Sequence, residues 1–200
     1  GVNVGIGTPS PDALLHLKST TGITQRIETT AAGDATLEFV NSNSANDCWA
    51  IGSDNSVSDS FNIAYASAVT ADLSTYTKMT ILQSGNVGIG VADPNTNLEV
   101  ADTGTAVIAT YRNDNAIQGA EIIGKLLFQG LDTAATSTRR TGASIEAVAA
   151  ATWSATGDFH QATDLHFYTQ DSSTSTSSIA TGPRMTIQDD GKVGIGTATP

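Results

Sequence analysis

The chain has 200 residues and a formal net charge of −11, from 9 basic and 20 acidic side chains, so it lacks the basic stripe needed to track a nucleic-acid backbone. Leu, Ile, Val and Phe total 42 residues against 48 Ser and Thr, an apolar share only just above the roughly 20% below which chains tend to stay disordered. One cysteine, Cys48, excludes an intrachain disulfide, and with no signal-peptide pattern and no apolar run of about 18 residues, neither export by a leader of its own nor membrane insertion is expected.

The first recognisable stretch is Val4-Gly5-Ile6-Gly7, which recurs at Val87-Gly88-Ile89-Gly90 and Val193-Gly194-Ile195-Gly196. The later copies lie in longer related blocks, MTILQSGNVGIG at 79–90 and MTIQDDGKVGIG at 185–196. The chain is therefore an internal repeat. Val4 to Val87 is 83 residues and Val87 to Val193 is 106, so the second repeat carries about 23 more, expected to emerge as surface loops. This divides the chain into a first β repeat at 1–86, a second with longer loops at 87–192, and the start of a third at 193–200, with both ends reading as cuts from a longer polypeptide.

After the first motif, Thr8-Pro9-Ser10-Pro11-Asp12 leads to a short strand at Leu15-His16-Leu17, and Ser10 before Pro11 is placed to cap a single helical turn. Strands follow at 36–40, 48–51 and 61–65, each with large apolar residues on alternate positions and polar clusters between them. The 79–90 block reads as a hairpin. Met79 and Ile81 flank Thr80, Val87 and Ile89 flank Gly88, and Ser84-Gly85-Asn86 supplies the reversal. Asp93-Pro94-Asn95 then leads to Leu98-Glu99-Val100. The second repeat offers strands at 125–129, 143–148, 165–169 and 185–187, although the run IEAVAAA at 145–151 has helical as well as strand character. The Ser/Thr-rich stretch 171–182 reads as an exposed loop. The last block repeats the hairpin, with Met185, Ile187, Val193 and Ile195 on one face and Asp190-Gly191 at its turn. Glycine inside a strand marks a close backbone approach, so Gly5, Gly7, Gly88, Gly90, Gly194 and Gly196 are the candidate close-packing positions.

These elements predict an all-β fold of short strands and Gly-rich hairpins. The candidate assembly core is Val4, Ile6, Met79, Ile81, Val87, Ile89, Met185, Ile187, Val193 and Ile195. No catalytic pair is assigned, because most Asp residues lie beside Gly, Asn, Ser or Pro, where turn formation accounts for them. His16 and His166 sit between apolar neighbours, so they point away from the apolar face, and together with His160 are expected in solvent; a three-fold metal site is the competing use. The polar loops at 53–59 and 93–97 lack the ordered spacing of a calcium loop. Gly191 to Gly196 superficially suits phosphate but opens no helix, and Arg139-Arg140 reads as a loop tip. Among the aromatic residues, Trp49 is expected in the core. Trp153 and Phe159 lie near the inserted loops as candidate glycan contacts, and Tyr168 is a further stacking candidate.

The order L-x-F, then M-T-I-x-x-x-G-[NK]-V-G-I-G-T, then P and L-x-V, resembles the repeated shaft segments of bacteriophage tail fibre and tailspike-like proteins. It is carried here by Leu37-Glu38-Phe39 with Lys78-Met79-Thr80-Ile81, and by Leu165-His166-Phe167 with Arg184-Met185-Thr186-Ile187. The resemblance covers nearly the whole chain in two passes. It implies an elongated fibre of intertwined homotrimers located in the virion, usually followed by an intramolecular chaperone domain, with the chain itself and neighbouring fibre segments as partners. The implied function is a structural shaft that positions a distal receptor-binding tip for host attachment, with no enzymatic activity and no cofactor. Alternatives are a glycan-binding adhesive module that contacts host surface polysaccharide, and a subunit of a bacterial or archaeal extracellular filament.

Overall fold

The computed structural model describes residues 3–30, 32–42, 47–68, 70–114, 116–132, 138–153, 161–170 and 182–200. Its described residues contain strands and no helix, so the protein is all-β. The chain divides into two compact units, 1–108 and 109–200, offset from the sequence period. The first holds a parallel pair, β1 (Val4–Ile6) with β2 (Leu15–Leu17), and a six-stranded sheet. That sheet runs in sequence order through β3 (Ala35–Asn41), β4 (Asp47–Asp54), β5 (Ser60–Ala66), β6 (Thr77–Ile81), β7 (Val87–Ile89) and β8 (Leu98–Val100). Its pairs are antiparallel except the last. The second unit is one antiparallel sheet of β9 (Ile122–Asp132), β10 (Thr138–Ala149), β11 (Thr163–Thr169), β12 (Met185–Ile187) and β13 (Val193–Ile195).

The repeated block folds the same way in both units. β6 and β7 pair Met79 with Ile89, Thr80 with Gly88 and Ile81 with Val87; β12 and β13 pair Met185 with Ile195, Thr186 with Gly194 and Ile187 with Val193. Both turns close through a left-handed glycine, Gly85 at φ 88° and Gly191 at φ 86°. In each, that glycine's N–H donates to the carbonyl of the residue just past the first arm, Leu82 or Gln188, at 2.9 Å.

The connection after the motif is less ordinary. Parallel neighbours usually need a long crossover, commonly a helix, yet β1 joins β2, and β7 joins β8, through residues 7–14 and 90–97 alone. Glycine makes this possible. The second glycine of each motif is left-handed, Gly7 at φ 79°, Gly90 at φ 73° and Gly196 at φ 73°. The turn it creates lays the chain directly over the first glycine: a Cβ on Gly5 would strike the Thr8 carbonyl, one on Gly88 the Val91 carbonyl, and one on Gly194 would sit 2.7 Å from the Thr197 carbonyl. A proline six positions on, Pro11, Pro94 or Pro200, packs against the same spot. Asn3 and Asn86 pin the crossover by donating Nδ2 to the carbonyls of Pro11 at 3.1 Å and Pro94 at 2.9 Å. No helical turn forms at Ser10; its N–H donates instead to Thr8 Oγ1.

Several sequence expectations change here. The close approach at Gly5, Gly7, Gly88, Gly90 and Gly194 is made by the chain's own backbone and side chains. The run 145–151 extends β10 up to Ala149, because Ala147 and Ala149 continue the ladder to Leu165 and Thr163. Arg139 and Arg140 lie in β10 opposite Leu131 and Gly130, not at a loop tip. Part of the second repeat's extra length goes into this longer hairpin, eleven and twelve residues against seven and eight for β3 and β4. The stretch 171–181 and the residues His160 and Phe159 lie outside the described residues.

The core of the first unit is small and polar. Cys48, Ala50, Ala64, Ala66, Asn62, Thr80, Asp54 and Ser60 are all buried, and the register places them on one face of the sheet. Ala71 and Leu73, from the β5–β6 connection, cover them. Such flat side chains let that connection lie close, and its turn is held by Asp72, whose Oδ1 accepts from Ser74 N, Ser74 Oγ and Thr75 N. Those bonds, that of the Ser74 hydroxyl foremost, hold the Asp72 carboxyl below its ordinary value.

The glycine geometry separates two costs. Gly90→Ala incurs both the left-handed backbone and a collision with the Ala101 carbonyl, and is expected to cost about 3 kcal/mol. Gly85→Ala incurs only the first, about 1 kcal/mol. Thermal melts of the two variants test this, and equal shifts would contradict the chain-over-glycine contact.

Candidate functional site

If the small face is inside, the large apolar face is left outside. In the first unit one row runs Leu37, Ile51, Ile63, Met79, Ile89 and Val100 across all six strands, and the next runs Phe61, Ile81, Val87 and Leu98. A third, shorter row is Phe39, Trp49 and Tyr65. In the second unit the matching rows are Leu126, Ile145, Phe167, Met185 and Ile195, then Leu165, Ile187 and Val193. None of these side chains is buried. Ile89 is 46% exposed and Ile195 83%, whereas Thr80 and Thr186, their neighbours on the opposite face, are at 0%.

A contiguous apolar face of this extent is a candidate interaction surface, because leaving it in water forgoes about 25 cal/mol per Å². Met79, Ile81, Val87, Met185 and Ile187 are half-buried by their strand neighbours, and Ile89, Val193 and Ile195 are exposed. Val4 and Ile6 are also exposed, on the separate β1–β2 pair. The register thus brings eight of the ten candidate assembly residues onto two like faces, one per unit.

Trp49 is not a core residue. It is 47% exposed and forms, with Phe39, Val40, Asn41, Asp47 and Tyr65, an open recess of about 760 Å³. Its ring lies 5.0 Å from that of Tyr65, tilted by 45°. The Tyr65 hydroxyl donates to Asp47 Oδ1 at 2.7 Å, and that bond, with some desolvation, holds the phenol above its ordinary value. Alternation in the sequence showed that Phe39, Trp49 and Tyr65 share a face type; only the cross-strand register shows that they stand side by side.

The histidines are corrected too. His16 and His166 do point away from the apolar rows, but that side is not open water: their side chains are 23% and 14% exposed. His16 Nδ1 lies 2.9 Å from Asp12 Oδ1. His166 stands opposite Glu146 and Thr186 on the covered face, with Nδ1 3.1 Å from the Tyr168 hydroxyl and Nε2 3.8 Å from Asp164 Oδ2. Tyr168, expected as a stacking residue, belongs to this covered cluster, where burial and then the Glu146 charge push its phenol up. No group of three or more His, Cys, Asp or Glu side chains among the described residues is placed to hold a metal ion. In the 53–59 loop, Asp54 turns inward, its Oδ1 accepting from Ser56 N, Ser56 Oγ and Val57 N, and its Oδ2 from Asn62 Nδ2. Trp153 is half-buried and donates its indole N–H to the Ala162 carbonyl at 3.3 Å.

The chain matches no protein-family model, and no curated protein matches it. No helix among the described residues is long and apolar enough to cross a membrane.

Two of the four tyrosines are therefore expected to ionise above the ordinary 10.0, Tyr65 because it donates to Asp47 and Tyr168 because it is desolvated. A raised value means that each stabilises the fold fully below pH 10.0 and loses that contribution as pH rises through its folded value. Absorbance titration of the phenolates checks it: Tyr65→Phe and Tyr168→Phe should each remove one late-ionising group, and early ionisation of either would contradict the contact.

Proposed function

We propose that the chain is a structural shaft segment of a homotrimeric fibre of the phage tail fibre type, holding a distal receptor-binding tip away from the particle. The observation that carries this reading is the inverted sheet: each unit covers its small, polar face with its own chain and leaves the Leu, Ile, Val, Met and Phe face bare. A chain with 42 Leu, Ile, Val and Phe residues in 200 has little core of its own, and a shared core between copies removes the two long rows of each unit from water at once. The repeat supports an axial role, since the same face recurs in both units and a stack of identical interfaces lengthens a fibre without new chemistry. Partners on this reading are further copies of the chain and adjoining fibre segments, and the location is the virion. On this reading the role is mechanical.

Solution mass tests the proposal. Light scattering at micromolar concentration is expected to give the mass of three 20.5 kDa chains. Ile89→Asp and Ile195→Asp place a carboxylate on the bare face, and should yield monomers that keep their β-sheet circular dichroism, because both positions are exposed in the single chain. A wild-type monomer over that range, or variants that lose secondary structure and mass together, would overturn the shared-face reading.

A further inference from the structure

The recess at Trp49 departs from the repeat. In the second unit the positions of Phe39, Trp49 and Tyr65 are taken by Phe128, Ala143 and Thr169, and those of Asn41 and Asp47, two ladder steps on, by Gly130 and Arg140. The second unit therefore has neither the aromatic row nor the carboxylate, and Gln129 and Thr141, one ladder step from Phe128 and Ala143, bond each other at 3.1 Å. An aromatic row that served the repeating face would be expected in both units. The row also spans three strands only, β3 to β5, and ends at a polar rim of Asn41 and Asp47.

The geometry points to a binding site for a quaternary ammonium group, the trimethylammonium head of choline. Charge complementarity selects a cation: among the described residues the recess is lined by Phe39, Val40, Asn41, Asp47, Trp49 and Tyr65, with one carboxylate and no basic side chain, in a chain of net charge −11. The rings select a weakly hydrated one. Trp, Tyr and Phe faces attract a cation through their quadrupoles, and the attraction survives only where the cation sheds water cheaply. A primary ammonium asks for three acceptors. Here one Asp47 oxygen is already taken by the Tyr65 hydroxyl at 2.7 Å, which suits a methylated head that needs charge nearby but no hydrogen bonds. Trp49 supplies the main ring surface, Tyr65 is held in place by its bond to Asp47, and Asp47 supplies the charge. This inference does not rest on the assembly reading and stands or falls separately.

The test uses the full chain carrying Trp153→Phe, which leaves Trp49 as the single fluorescent indole of the two. Choline chloride is titrated at constant ionic strength, beside 3,3-dimethyl-1-butanol, its uncharged carbon isostere. Choline is expected to change Trp49 emission saturably, with a midpoint on the order of a few millimolar, the weak affinity of an open aromatic site. The isostere should bind about fivefold more weakly, and Asp47→Asn should weaken choline about threefold while leaving the isostere unmoved. Equal response to both probes would show a merely apolar recess and overturn the proposal, as would no saturable change. Trp49→Ala, followed by the line width of the choline methyl resonance, should abolish binding with the solution mass unchanged. A fall in mass would place the row in the contact between copies and overturn the ligand site.

Discussion

The structure depends on a steric inequality between the two faces of each sheet. Along β4, β5 and β6 the side chains alternate between small or polar and large apolar, Ala50 against Trp49 and Ile51, Asn62 against Phe61 and Ile63, Thr80 against Met79 and Ile81. A loop lies flat against the first set at van der Waals distance, so the chain covers that face with what it has: Ala71 and Leu73 in the first unit. The second set stands too tall and too wide for the short connections available. The outcome inverts the usual distribution, with Thr, Asn and Asp inside and Ile, Phe and Trp outside.

The buried Asp54, Ser60 and Asn62 of the first unit are paired, whereas the hydroxyls of Thr80 and Thr186 are buried without a hydrogen-bond partner among the described residues. Asp54, at zero exposure, accepts four hydrogen bonds, and Ser60 Oγ donates to Asn62 Oδ1 at 3.1 Å, so these three form a connected network rather than isolated dipoles. The second unit replaces Asn62 by His166 and Gly52 by Glu146 at matching positions, and fills the same layer with ionisable groups. The two units thus share a scaffold and differ in the chemistry of the covered layer and in the aromatic row at the edge of the open one. The proposed assembly uses what they share, and the proposed ammonium site uses what they do not.

The motif V-G-I-G owes its recurrence to local geometry. Its first glycine is the floor over which the chain crosses, its second is the left-handed step that starts the crossing, and the proline six residues from the first glycine closes it. The Val and Ile on either side of the first glycine are turned to the open face, paired with Ile81 and Met79 in the second copy and Ile187 and Met185 in the third. One short sequence therefore sets both the tight parallel turn and the direction in which its aliphatic side chains are displayed.

Much of this was legible from residue order. The all-β class, the hairpins at 79–90 and 185–196, the strands around 36–40, 48–51, 61–65, 125–129 and 165–169, and the need for something to pack on the glycines follow from period-two alternation and turn residues, which act over a few positions along one strand. Beyond its reach lay which side of each sheet the chain would cover. Alternation shows that Trp49 and His166 face opposite kinds of side, but not that the His166 side is roofed and the Trp49 side open. That choice belongs to the connections between strands and to the cross-strand register, which bring together residues as distant as Asp47 and Tyr65, or Glu146 and His166. Sequence order determines the pattern on each strand because neighbours along a strand constrain one another; only the tertiary structure decides what the pattern meets, because burial is settled by segments far away in the chain.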